Sequence, residues 1–398
     1  MSSTPAALEY KRPLPVAART GVLALALLSI GHFSIDMYAS ALGALQPRLV
    51  SKFGMSLTQA GILGGLLIFS SSLLQPVYGY LADRFHTRMF TVLAPAVAGV
   101  FISMLGLAPG YGWLILLVLL GGAGVASFHP QASARVTHGV VESRGQWMAV
   151  FISAGTLGMA FGPTFFSLLP ALIGLENLLW ACIPGLLSTA LLWVALAEGP
   201  QMASRKSYDL SGLRAARKPL TLLYFCVFLR SAVQVTFAQF LPLYLHMERG
   251  FTVTNANYVL SAYLTFGAVG GFAGGYLSDR LGGRKVIMIS FLGCLPFLAL
   301  FFLGTGMASL LGLMAGGLVL LFTIPVNVVM AQDLAPGQTG TVSALMMGFA
   351  WGLSGLIFIP LTGWSSDHFG MHASLAALTL FPLIGFVLAY MLPRSQHA

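Results

Sequence analysis

The chain is short of charge. Asp, Glu, Lys and Arg make up only 8% of its 398 residues, against about 25% in a typical soluble protein. So little charge cannot clothe a water-soluble globule of this length, and the hydrophobic share of 57% with a mean hydropathy of +0.86 indicates an integral membrane protein. Cysteine is scarce as well. Cys182, Cys226 and Cys294 each fall inside an apolar run, where a thiol is a small buried apolar group, so neither a disulfide framework nor a redox compartment can be read from them. The chain has no phosphate-binding loop of the ATPase kind, no metal-ligand cluster in sequence and no nucleophile and base at recognisable spacing. No enzyme activity and no cofactor are therefore expected.

What is present is a series of apolar segments of about 20 residues, the length that crosses a bilayer. Cutting at Gly, Pro and charge clusters places twelve helices near 20–47, 57–82, 89–108, 112–136, 145–171, 176–197, 219–246, 255–279, 285–304, 308–333, 339–365 and 372–392. The first of these reads as a span and not as a removed signal peptide, because no small-residue cleavage site follows it. The net charge of +9 is dispersed among the loops, which fits the positive-inside rule and not a nucleic-acid surface. With both termini cytoplasmic, Arg48, Lys52 and Arg249 fall outside, Arg230 falls within a span, and the other sixteen of the 20 Lys and Arg fall inside.

The two halves repeat. GYLADRFHTR (Gly79 to Arg88) matches GYLSDRLGGR (Gly275 to Arg284) at an offset of 196, each between the second and third span of its half. The expected fold is an all-α membrane protein of twelve transmembrane helices in two pseudo-symmetric six-helix bundles. Its expected parts are a cytoplasmic segment 1–18, bundles 19–197 and 219–393, a basic linker 198–218 and a tail 394–398. In such parallel repeats the substrate site lies between the halves near the midplane.

The repeated G-x-L-x-D-R-x-x-x-R loop resembles the signature of the major facilitator superfamily. The resemblance gives Gly79, Asp83, Arg84, Arg88, Gly275, Asp279, Arg280 and Arg284 a gating role, with each Asp placed to meet a helix N-terminus of the other half and brace the cytoplasmic side when the cavity opens outward. Gly158, Gly162 and Pro163 in GTLGMAFGP resemble the fifth-span pattern of superfamily exporters, where glycines four apart let helices touch; ordinary packing explains them nearly as well. SSLLQPVYGY (Ser71 to Tyr80), the F-H-P of SFHPQASA and AQDLAPGQTGTVSALMMGFAWG (Ala331 to Gly352) resemble the fosmidomycin resistance protein family within this superfamily. Two positions depart from it: Gln131 and Asp333 stand where glutamates are expected.

Ionisable groups at membrane depth are costly and turn inward. His32 and Asp36, four residues apart, share a helix face, which makes them candidates for proton coupling; a static hydrogen bond is the alternative. Arg230 occupies nearly the place in span seven that Asp36 has in span one. A guanidinium there can bind an anionic substrate or pair with Asp36. Gln234, one turn on, His129 before Pro130, and Asn327 complete the candidate substrate contacts.

The function these features favour is proton-coupled efflux, by alternating access, of a small anionic or amphipathic compound; the family resemblance implies a phosphonate antibiotic such as fosmidomycin. A proton symporter importing a metabolite and a non-transporting receptor of the same fold are the alternatives. The expected partners are a small-molecule substrate, protons and the lipid of a bacterial inner membrane, the chain acting as a monomer.

Overall fold

The structure, a computed structural model, describes residues 16–85, 87–136, 144–196 and 211–393; no side chain is described for residues 16–20, 83, 144 or 211–212. The expected N-terminal segment up to residue 15, the linker from 198 to 210, the tail 394–398 and the side chain of Asp83 lie outside the described residues.

A bilayer core offers backbone groups no hydrogen bonds, so a chain that crosses it must satisfy them internally. All regular structure among the described residues is helical. Eleven helices have the length and composition to span: α1 (Gly21–Phe53), α2 (Leu57–Ala82), α3 (Met89–Leu107), α4 (Tyr111–Val136), α5 (Gly145–Ile173), α6 (Leu175–Ala195), α7 (Arg217–Met247), and then α9 (Gly283–Leu303), α10 (Gly306–Leu334), α11 (Pro336–Phe369) and α12 (Met371–Tyr390). Between them lies α8 (Val253–Leu281), equally long but diluted by Gly, Thr, Ser and Asn. The chain is thus a multi-pass membrane protein whose twelve helices coincide with the twelve expected segments. The first runs on past residue 47 to Phe53, because Pro47 is accommodated within it. The seventh starts at Arg217, inside the stretch expected to be linker.

Buried apolar residues form two cores. One runs from Leu27 to Leu196; the other runs from Ala216 to Leu392 and takes only Ala60 and Ala160 from the first half. The repeat seen in sequence is also a repeat of contacts. A Cβ on Gly79 would lie 3.4 Å from Pro130, and one on Gly275 would lie 3.7 Å from Pro325, so each signature glycine stands at ordinary contact distance from the proline of the fourth helix of its half. Arg88 donates to the Leu196 carbonyl, and Arg284 donates at 2.5 Å to that of Tyr390, just beyond or at the ends of α6 and α12. At the other end Lys52 donates to Gly106 O at 2.6 Å and Arg249 to Gly304 O at 3.3 Å. A cation beside the last carbonyls of a helix offsets the negative end of its dipole.

The signature loops are expected to brace one half against the other when the cavity opens outward; in the arrangement seen here the contacts of their arginines stay within each half. Arg84 donates to Tyr80 Oη at 3.3 Å, and the Arg280 guanidinium lies 4.3 Å from the Tyr276 ring centre. Asp279 is exposed and meets no helix N-terminus. The reason is that the halves join at the opposite end. Side-chain hydrogen bonds cross between them there at three places: Asn257 Nδ2 to Ala44 O (3.1 Å), Thr164 Oγ1 with Ser261 Oγ (2.8 Å), and Asp367 with the start of α2. The α2–α11 seam closes on glycine: a Cβ at Gly61 would come within 2.7 Å of Ile359 O. Close packing along that seam reaches Leu73 and Gly352.

Candidate functional site

Asp36 sits on α1 where three helices meet. On its own helix the i, i+4 spacing brings His32 Nε2 to 3.3 Å from Oδ2. From α4, His129 Nε2 approaches Oδ1 to 3.5 Å. From α5, Gly155 faces the pair, and a Cβ there would sit 2.5 Å from Asp36 Oδ2. Farther along the same face, Gly158 lies against the Phe33 carbonyl and a Cβ on Gly162 would come within 2.6 Å of Met37 O, so the small-residue stripe seats α5 on the backbone of α1. Pro163 is held inside α5, beside the Thr164 that bonds α8.

The second ring nitrogen of His32 constrains the chemistry. Nδ1 lies 2.8 Å from the Phe151 carbonyl, which can only accept, so Nδ1 carries a hydrogen. In a neutral ring Nε2 is then a bare lone pair facing a carboxylate oxygen. Their contact at 3.3 Å is favourable only with a proton between them, on the imidazole or on the carboxyl. The Phe151 ring stacks on His32 at 4.1 Å between centres and fixes its tilt. His32 and Asp36 are buried, but the His129 side chain keeps 22% of its exposure, so the cluster is not sealed. These three residues are also the one His/Cys/Asp/Glu group among the described residues compact enough to be considered for a metal, with donor atoms within 4.8 Å of one another. A shared proton accounts for the separations without one.

His129, a candidate substrate contact from its sequence position, lies against Asp36. Pairing of Arg230 with Asp36 is not found: among the described residues no carboxylate lies within 4.0 Å of Arg230. That guanidinium, 4% exposed on α7, donates to Gln234 Oε1, has no hydrogen-bond partner at Nε, and lies 5.6 Å from the ring centre of Trp351 on α11. Asn327 on α10 is 1% exposed with neither amide atom paired, and the Tyr263 hydroxyl on α8 is equally buried and unpaired. An unpaired buried polar group costs about 1–3 kcal/mol, so this half holds polar groups that its own packing does not satisfy.

Sequence reasoning missed Asp367. Its Oδ1 accepts from Leu57 N at 2.9 Å; its Oδ2 accepts from Thr58 N at 2.8 Å and from Thr58 Oγ1 at 2.6 Å. An α11 carboxylate thus caps the positive end of α2 in the other half. It is the contact the signature resemblance led one to expect of Asp83 and Asp279, found at the opposite end. The signal available in sequence was an acid near the end of a span, following the small-residue run of span eleven.

The chain resembles known proteins over almost its whole length. It is 29% identical over 405 residues to the fosmidomycin resistance protein of Escherichia coli (strain K12), covering 97% of this chain and 98% of that one. It is 29% identical over 389 residues to an uncharacterized MFS-type transporter, YfnC, of Bacillus subtilis (strain 168), covering 94% and 93%. Its fold matches that of a bacterial homolog of the human lysosomal transporter Spinster, in an inward-facing and occupied conformation, with a TM-score of 0.80 at 16% identity over 95% of this chain and 97% of that one. The profile of the Major Facilitator Superfamily matches residues 28–359 and 223–398. With two repeated bundles, a signature loop in each and ionisable groups of both held inside the helices, the chain belongs to the Major Facilitator Superfamily of transporters.

Proposed function

We propose that this protein exports a small anionic or amphipathic compound in exchange for protons, by alternating access, as a monomer in a bacterial inner membrane. The observation that carries the reading is the Asp36 cluster. His32 Nδ1 is committed to Phe151 O, so the contact between Nε2 and Asp36 Oδ2 requires one proton. Losing that proton leaves a bare nitrogen against a carboxylate, and the cluster then favours an arrangement in which α1, α4 and α5 sit differently. This is how proton binding biases a conformational equilibrium: the proton has a different affinity for the two arrangements.

Arg230 supports an anionic cargo. It is a buried permanent cation without a carboxylate, and a guanidinium presents forked donors suited to phosphonate or carboxylate oxygens. Gln234 orients it, and Asn327 offers a further unpaired donor and acceptor. The Escherichia coli relative is named for resistance to fosmidomycin, a phosphonate, and resistance by efflux of such a compound is the substrate reading we adopt. The basic loops make the signature end cytoplasmic, so the halves, joined at the opposite end, are in the arrangement that opens inward.

Proteoliposomes test the reading. Outward substrate gradients are expected to drive counterflow of protons, and Asp36→Asn is expected to reduce that flux to the liposome background. Undiminished proton flux in Asp36→Asn would remove Asp36 as carrier. Substrate and protons moving in the same direction would replace exchange by symport.

A further inference from the structure

We propose that Gln131 is a positioning residue for the Asp36 cluster, clamping α4 to α3 and to the first signature loop so that His129 is held on Asp36. This rests on the reading of that cluster as the proton site.

Helix α4 is weak at this point. Pro130 has no N–H, so the carbonyl of Ala126 lacks its intrahelical donor and the helix is free to flex one residue from His129. Two side chains on the α3 face offset that weakness. Ser127 Oγ shares its one hydrogen between Gly124 O of its own helix at 2.8 Å and Phe90 O at 3.1 Å. One turn on, Gln131 uses both ends of its amide: Nε2 donates to Thr87 O at 2.7 Å, and Oε1 accepts from Thr91 Oγ1 at 2.5 Å. Residues two apart on a helix point about 200° apart. Fixing Gln131 toward α3 therefore turns His129 away from it, toward α1 and Asp36.

The clamp also sets a chemical requirement. Thr87 O can only accept, so residue 131 must donate to it; the Thr91 hydroxyl needs an acceptor at the same side chain. An amide meets both demands at every pH. A carboxyl meets them only while protonated. Thr87 belongs to the signature loop, whose Arg88 is anchored on Leu196 O, so one side chain joins that loop to the helix carrying His129.

The test compares Gln131→Glu, Gln131→Leu and wild type in two ways. Histidine-selective 15N NMR of the purified proteins, with His129→Gln identifying the signal, reads the His129 ring whether or not transport occurs. Proton flux in proteoliposomes is measured in parallel. In Gln131→Glu the His129 resonance is expected to move between two environments as the new carboxyl titrates. Flux relative to wild type is expected to fall about tenfold between about pH 5 and about pH 8, while Gln131→Leu is low throughout. An unchanged His129 resonance with a constant flux ratio overturns the proposal. If wild type carries no proton flux, the carrier reading fails while the NMR arm still decides the clamp. Should Gln131→Glu not accumulate, Thr91→Val removes one donor at nearly constant volume; a His129 resonance identical to wild type in that variant also overturns the proposal.

Discussion

Gly155 and Trp351 stand 196 residues apart, the offset of the signature loops, and each faces the ionisable centre of its own half. In the first half a glycine leaves room for His32, Asp36 and His129 to touch. In the second an indole stands 5.6 Å from a guanidinium that has no counter-ion. The positions that agree between halves, Gly79 with Gly275 and Arg88 with Arg284, build the frame. The positions that disagree hold the chemistry. On the function proposed above, one half holds a proton and the other a charge of fixed sign.

The sharpest way to break that comparison is to fill the glycine. Gly155→Leu places a side chain where Asp36 Oδ2 and His32 Cδ2 would lie 2.5 and 2.6 Å from its Cβ. Overpacking of this kind costs about 1–3 kcal/mol and can be relieved only by parting the two residues. Proton-coupled flux is expected to be lost entirely, with the helical content by circular dichroism retained. Flux near the wild-type rate would mean that the His32–Asp36 contact is incidental to coupling.

A second contrast lies in the seams. Asp367 latches α11 to α2, but its equivalent at the α5–α8 seam is Ala171, which is exposed and offers no acceptor. Hydrogen bonds to a charged group are worth about 1.5–3 kcal/mol when shielded; this carboxylate is largely exposed, so about 1 kcal/mol is the reasonable share. Asp367→Asn is then expected to shift the population toward opening at this end by about fivefold. Spin-label distances across the α2–α11 seam measure it. An unchanged distribution would make the latch decorative, and Ala171→Asp, if it closes the other seam further, would show that the device is transferable.

The sequence exposed what depends on local spacing. Twelve spans follow from the lengths of apolar runs, the repeat from the matched loops, and the His32–Asp36 contact from an interval of four on a helix. What it hid depends on how helices cross. His129 is 93 residues from Asp36, and nothing in FHP shows which way α4 is turned; the Gln131 clamp that turns it showed in sequence only as a missing glutamate. Gly155 opened the GTLGMAFGP string without being singled out, because a glycine does not announce which neighbour it makes room for. Asp367 went unread, since its value lies in the α2 N-terminus brought to it from more than three hundred positions away. The signature arginines showed in sequence only as part of a gating loop; which carbonyls they reach depends on α6 and α12 ending beside them.

The smallest effect tests the frame itself. If the repeat is structural, Arg88→Ala and Arg284→Ala remove the same thing, a cation on the terminal carbonyls of the sixth helix of each half. Each such contact is worth about 0.5–1.5 kcal/mol, or about 2–4 °C in melting temperature for a unit the size of one bundle. The two losses are not expected to be identical. Arg284 also lies 5.3 Å from the Tyr390 ring centre, and Leu196 offers Arg88 no such face, so the second-half variant should melt lower by a further ~0.5–1 kcal/mol equivalent. Arg284→Lys separates the two contributions, because an ammonium retains the bond to the carbonyl but lacks the plane that stacks. Its melting temperature is expected to fall between those of wild type and Arg284→Ala. A lysine variant as unstable as the alanine one would place the whole contribution in the ring contact and dissolve the equivalence of the two loops.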